Sequence, residues 1–429
     1  MDPATLVIVL IASLAGAGLG LFSGLTPGIH ANTLASMLLV AFPSMEAALS
    51  GIVPEETVAL AVCACVMSAS VVHSFVDFVP SVFIGAPDSE DAVSVLPGHR
   101  LLLEGHGMAA VRAAAIGSLV GCCVSIILSI PLQYAMIHGA EPILNKMTPA
   151  VLVFASGVLV LNEVSRGNGL WGLAAFLVSG ALGWMCMNLP IPSVGILGEG
   201  TLLFPLLTGL FGIPVLLESS GGSGKIPKQV DDCRDPVGMR PGLKGVLTGC
   251  IAGWFPGITS TVGASLQACF MPDDRPERFV STVASIGTVT SVLSLVALST
   301  TGSGRSGSAI VVKEIIGDGL QGFMSQEFLM LLLSMAVGAV AGYWLTIWSG
   351  RMMSSLVKRL DQVFLGRSVI IVLIVLVGLM TGPAGLFVLL CATVAGFMPP
   401  VFGTSRTVLC GCLILPVMLL RRFGYAGSE

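Results

Sequence analysis

Lysine and arginine are absent from the first ninety-nine residues; the earliest is Arg100. Charge is scarce everywhere. Only 10% of the 429 residues are Asp, Glu, Lys or Arg, against roughly 25% in a soluble domain, too few to cover a water-facing surface of this size. The net charge of −4 and the lack of a basic patch exclude a nucleic-acid partner. Cysteine is present but not paired: eleven occur, mostly inside apolar runs, without a Cys-x-x-Cys motif. Cys63 and Cys65 are two apart, so they point to different faces of a helix. They read as small apolar fillers, and neither a metal nor an organic cofactor is expected. No His-Glu-x-x-His, no pair of carboxylates within a span and no Ser/His/Asp set occurs. An enzyme is therefore not expected.

What the chain has in abundance is hydrocarbon: 54% of its residues are hydrophobic and the mean hydropathy is +0.94. Apolar runs occupy residues 6–22, 111–137, 170–189, 328–348, and 368–380 with its continuation 386–399. Each is near the ~20 residues that cross a bilayer as a helix. A β-barrel would alternate in ten-residue strands instead. The pattern predicts an all-α, multi-pass integral membrane protein. The first run has no basic residues before it, so it reads as a retained helix rather than a cleaved signal.

The sequence repeats itself. Placed over residues 243–272, residues 14–43 share the glycines Gly16/Gly245, Gly20/Gly249 and Gly24/Gly253, then Pro27-Gly28-Ile29 over Pro256-Gly257-Ile258. Both copies read G-x3-G-x3-G-x2-P-G-I, at an offset of 229. "GAPDSEDAVSV" at 85–95 lies over "GSGRSGSAIVV" at 302–312 at offset 217, which also pairs Gly121 with Gly338. Gly172 and Gly183 fall over Gly385 and Gly396 at offset 213. Two pseudo-symmetric membrane halves follow, residues 1–218 and 244–429, joined by a polar Gly/Ser/Pro linker, 219–243. About five to six membrane segments are expected in each. Paired Gly/Pro-interrupted helices in corresponding places point to a transporter's central site, because unwound backbone in hydrocarbon survives only against protein, water or ligand. The broken or re-entrant helices are expected to meet at the midplane.

A new helix after Pro27-Gly28 leaves its first N–H groups free, and such an end favours anions. His30, Asn32 and Thr33 stand there, with Thr259, Ser260 and Thr261 in the matching place. Within this reading the Asn32 carbonyl holds a coupling cation, while its NH₂ and the helix end face the anion. In the second pair of loops, Ser303, Arg305 and Ser306 offer a guanidinium and hydroxyls to a carboxylate or phosphate. The candidate substrate-binding set is thus Gly28, His30, Asn32, Thr33, Gly257, Thr259, Ser260, Thr261, Ser303, Arg305 and Ser306. Candidates for ion coupling, with Na⁺ or H⁺ as the ion, are His73 and Asp77, spaced i,i+4 in an apolar run, and the loop acids Asp88 and Asp91.

These motifs resemble the TctA-like family, the large membrane subunit of tripartite tricarboxylate transporters. The resemblance rests on "GLFSGLTPGIHANTLASMLL", "FIGAPDSEDAVSVLPGHRLLLEGHGMAAVRAAAIGSLVG", "FASGVLVL", "GILGEGTLLFPLLTGLFGIPVLLES" and the second Pro-Gly-Ile at 256–258. It implies an inner-membrane, gradient-driven carrier for organic carboxylates. A small membrane subunit and an extracytoplasmic binding protein are the partners that it implies. The residues alone leave an alternative open, a flippase for a lipid-linked phosphate such as a polyprenyl phosphate carrier.

Lys225, Lys228, Arg234, Arg240 and Lys244 place the linker in the cytoplasm by the positive-inside rule, and the N-terminus, which has no basic residue, outside. The halves are then inverted. Strict inversion is expected to put Arg351, Lys358, Arg359 and Arg367 outside, against the same rule.

Overall fold

In a computed structural model the chain is almost entirely helical. The structure describes residues 2–423, apart from 28, 86–92, 94, 191, 197, 200, 220–226, 233, 256–257, 303, 305 and 358–361. Among the described residues, eight helices are long and apolar enough to cross a bilayer.

The first helix, α1 (Pro3–Leu25), stops at the Pro27 break, and α2 (Ala31–Leu49) follows. The next, α3 (Glu55–Val76), runs through Asp77 into α4 (Phe78–Ile84) and ends on Gly85. Gly85 has φ 66°, a left-handed cap that a side chain would strain. Then come α5 (Val95–Leu103) and α6 (Gly107–Ala135). Helical structure continues from α6 through Met136–Ala140 into α7 (Glu141–Ser165), 59 residues in all. A straight helix of that length would reach about 90 Å, three times the hydrocarbon thickness. It bends at His138 and Gly139, where the φ of 106° falls on glycine. After α8 (Gly169–Asn188) a two-residue hairpin, β1 (Val194–Gly195) with β2 (Gly198–Glu199), leads to α9 (Leu203–Leu207) and α10 (Ile213–Ser219).

Beyond the connection, α11 (Arg240–Trp254), α12 (Ser260–Phe270) and α13 (Pro276–Thr301) follow. Gly302 caps α13 at φ 64°, in the manner of Gly85. The remaining helices are α14 (Gly307–Ile316), α15 (Gln326–Val357), α16 (Gln362–Gly396), α17 (Met398–Phe402) and α18 (Gly411–Phe423). Gly382, at φ 65° and ψ −158°, splits α16 before Pro383, and the β1 hairpin packs into that split against Leu379 and Gly382.

Glycines set the closest helix contacts, since lipid offers no hydrophobic drive for helices to associate and close backbone approach must serve instead. Gly16, Gly20 and Gly24 of α1 lie on Cys65, Ala69 and Val76 of α3. Gly245, Gly249 and Gly253 of α11 lie on Thr282, Val289 and Leu293 of α13. Ser68 on α3 donates to the Ser13 carbonyl at 2.7 Å, and Ser285 on α13 to the Gly242 carbonyl at 2.6 Å. Contacts between the halves are as tight. Gly117 and Gly121 of α6 press on Ser281 and Ser285 of α13, while Gly338 and Gly342 of α15 press on Ser68 and Phe75 of α3. Gly183 of α8 abuts Cys412 of α18, and Gly396 of α16 abuts Leu210.

The described parts of the connection, 227–232 and 234–239, are docked rather than a free tether. Gln229 is 4% exposed; its Oε1 accepts from Gly107 N at 2.8 Å and its Nε2 donates to the Leu102 carbonyl at 2.9 Å. Asp231 accepts from Arg112 at 2.6 Å and from Arg351 at 2.9 Å. This corrects the expectation for Arg351, which lies on the same side as the linker. Near Asp231 the start of α6 meets the end of α15, with Gly350 against Val111.

Candidate transport site

At the first break, α1 ends at Leu25 and α2 begins at Ala31, two residues later than the motif predicts. His30 is therefore the cap: its Nδ1 accepts from Asn32 N at 3.1 Å, satisfying one of the orphan amides of the helix start. At the second break, Thr259 does the same for α12, its Oγ1 accepting from Val262 N at 3.3 Å. Thr33 N donates to the His30 carbonyl at 2.9 Å, inside the first turn. Ser260 and Thr261 are fully buried, and Ser260 Oγ has no hydrogen-bond partner among the described residues.

Asn32 ties the two halves of the chain together. Its Oδ1 accepts from Ser308 N at 3.0 Å and from Ser308 Oγ at 3.2 Å, at the start of α14. The carbonyl expected to hold a cation is thus used to cap a helix of the other half. Gly307 makes room for it, because a Cβ there would stand 2.7 Å from Asn32 Cβ. Ser306 completes the cap, accepting from Ala309 N at 3.2 Å and meeting Ser294 Oγ at 2.8 Å.

Beside the first break lies a buried polar group. His73 is 2% exposed and Asp77 4%. His73 Nδ1 is 2.9 Å from Ser23 Oγ, and its ring centroid is 4.9 Å from that of His30. Gly24, just before the break, rests against Val76 and the Asp77 backbone. The i,i+4 spacing therefore does bring His73 and Asp77 to the broken motif. Gly28, Asp88, Asp91, Gly257, Ser303 and Arg305 lie outside the described residues.

The second break has a different neighbour. Cys410 Sγ, closing the 3-10 turn Arg406–Cys410, is 3.2 Å from Ser265 Oγ on α12. The turn carries Arg406, which donates to Glu218 Oε1 at 2.7 Å. The motif reading passed over this pair, although "GTSRT" at 403–407 is an arginine in a Gly/Ser/Thr loop, like the one at 302–308.

A sequence model of the tripartite tricarboxylate transporter TctA family matches residues 10–411, nearly the whole chain. The chain belongs to that family. An uncharacterized protein of Methanocaldococcus jannaschii is 27% identical over 298 residues, 68% of this chain and 70% of that protein. No solved structure matches. With eight long apolar helices among its described residues, this TctA-family chain is a multi-pass membrane protein and a transporter subunit.

Proposed function

We propose that the chain is the large subunit of a secondary-active carrier for organic carboxylates in the inner membrane. On this reading it works with a small membrane subunit and an extracytoplasmic binding protein, and a Na⁺ or H⁺ gradient drives it. The observation that carries the reading is the first break, where a helix start and two imidazoles converge on one unwound segment, with Asp77 buried beside Gly24 just before it.

The pattern of contacts supports two pseudo-symmetric repeats around it. Ser68 and Ser285, which make equivalent bonds, stand 217 apart, and their acceptors at 13 and 242 stand 229 apart. These are the offsets of the sequence repeat. Ser74 and Ser291 are also 217 apart, and their Oγ atoms lie 3.4 Å from each other. A residue that touches its own counterpart lies on the two-fold axis. If that axis runs in the membrane plane, the pair marks mid-depth, and both breaks sit within a helical turn of it: Gly24 against Val76 and Gly253 against Thr290 and Leu293.

The halves are chemically unequal at this depth. At the repeat offset of 217, His73 and Asp77 of the first half are matched by Thr290 and Ser294 of the second. Ion coupling is therefore assigned to the first half, whose two ionisable side chains have neutral counterparts in the second. The test is reconstitution into liposomes with imposed Na⁺ or H⁺ gradients and a panel of labelled carboxylates, with the partner subunits supplied. Gradient-driven uptake is expected, and Asp77→Asn should uncouple it while carboxylate binding persists. If neither gradient drives uptake of any carboxylate, the proposal is wrong.

A further inference from the structure

Between the end of the first half and the turn before α18 lies a cavity of about 360 Å³. Phe211, Val215 and Pro399 supply apolar wall, and Glu218, Thr404, Ser405, Arg406 and Thr407 supply the polar side. The Arg406 side chain is 15% exposed, and its Nη2 is held by Glu218. Arg406 Nη1 and Thr404 Oγ1 are shut off from solvent, without a hydrogen-bond partner among the described residues. A guanidinium N–H taken from water and given no acceptor is costly. A planar fork with one prong bound and one unmet matches the two oxygens of a carboxylate.

We infer that this cavity is a carboxylate-binding subsite, kept plugged by the protein's own Glu218 until a substrate carboxylate takes the Arg406 fork. Glu218 is suited to be displaced: its side chain is 38% exposed, so it swings into water at little cost. Thr404 then offers its hydroxyl to the bound acid, and the apolar wall accommodates a short aliphatic skeleton. Both halves build the pocket, and its turn touches α12 through Cys410 and Ser265. Emptying or filling it is thereby felt by the helix that follows the second break. The inference rests on the transport reading above for its substrate class but not for its chemistry.

The test measures binding to the purified full chain in detergent, by calorimetry and thermal shift, with citrate, succinate, acetate and inorganic phosphate as probes. Removing the internal competitor with Glu218→Gln should tighten carboxylate binding roughly five- to tenfold, the scale of a partly exposed ion pair. Arg406→Ala should abolish it and Arg406→Lys should restore a part, since an ammonium lacks the fork. The double variant Glu218→Gln/Arg406→Ala keeps the charges balanced, and it should stay folded without binding. Unchanged affinity in Glu218→Gln together with retained binding in the double variant would overturn the inference. So would binding of phosphate in preference to every carboxylate, or no binding of any probe by wild type and Glu218→Gln alike. Gradient-driven uptake that persists in Arg406→Ala would remove the pocket and leave the transport reading standing. Carboxylate binding here without uptake in liposomes would do the reverse.

Discussion

Ser74 on α3 and Ser291 on α13 face each other with their hydroxyl oxygens 3.4 Å apart, one from each half of the chain. Cysteines at these two positions would carry their thiols toward each other, so oxidation tests the contact directly. The variant Ser74→Cys/Ser291→Cys should cross-link on mild oxidation, seen by mass spectrometry of the joined peptide pair. A pair that stays reduced while both thiols accept a small alkylating reagent would remove the two-fold axis from this position.

Glycine substitutions should divide by what a Cβ meets. At Gly117 it collides with the Ser281 carbonyl, and at Gly183 with that of Cys412. Backbone cannot yield as a side chain does, so Gly117→Ala and Gly183→Ala should each cost at least about 1–3 kcal/mol and lower Tm visibly. Gly157, on α7, has nothing within 4 Å. Gly157→Ala should leave Tm unchanged or raise it slightly, by helix propensity. Equal behaviour of the three variants would mean that these interhelical contacts do not govern stability.

Asn32 ties α2 to α14 through the carbonyl that Ser308 N and Oγ share. Asn32→Ala orphans a helix-start amide and should cost about 1–2 kcal/mol in stability, with transport impaired. Asn32→Asp keeps the acceptor and should keep most of the stability. Altered ion dependence in the aspartate variant at full stability would instead return the residue to the cation role that its sequence position suggested.

Asp231 lies outside the membrane helices. Burial opposes its charge, but the bonds from Arg112 and Arg351 outweigh this and hold its carboxyl below the ordinary 3.8. A carboxyl lowered by folding stabilises the fold above its unfolded value, and the contribution fades as pH falls through the folded one. The group is 37% exposed, so screening limits the effect to about 1 kcal/mol or less. Asp231→Asn should lower Tm at pH 7 and flatten the loss of stability between roughly pH 5 and pH 2. An acid profile identical to wild type would show that the clamp contributes nothing.

The class of the fold was legible because hydrocarbon length and scarce charge leave little choice. So were the breaks, since Pro and Gly write backbone geometry directly into sequence. His73 and Asp77 followed from helical spacing alone. What stayed hidden depends on chain crossings that carry no local signal. Nothing near Asp231 announces that it joins Arg112 to Arg351, 239 residues apart in sequence. Arg406 was visible as a residue type but not as a partner of Glu218, for the same reason. The helix start at Ala31 rather than Ile29 reflects His30 acting as a cap, a place more often held by Ser, Thr, Asp or Asn.

The interleaving of α6 on α13 and α15 on α3 bears on how such a chain is made. When the ribosome has finished the first half, α3 is in the bilayer but the glycine face that will cover Ser68 and Phe75 has not been synthesised. From the end of α3 at Val76 to the start of α15 at Gln326, that groove must be occupied by lipid or by an insertion chaperone. Pairings this distant in sequence form slowly and expose intermediates. Severing the chain at the linker would therefore not yield two autonomous modules, and co-expressed halves should assemble only if their insertion overlaps in time.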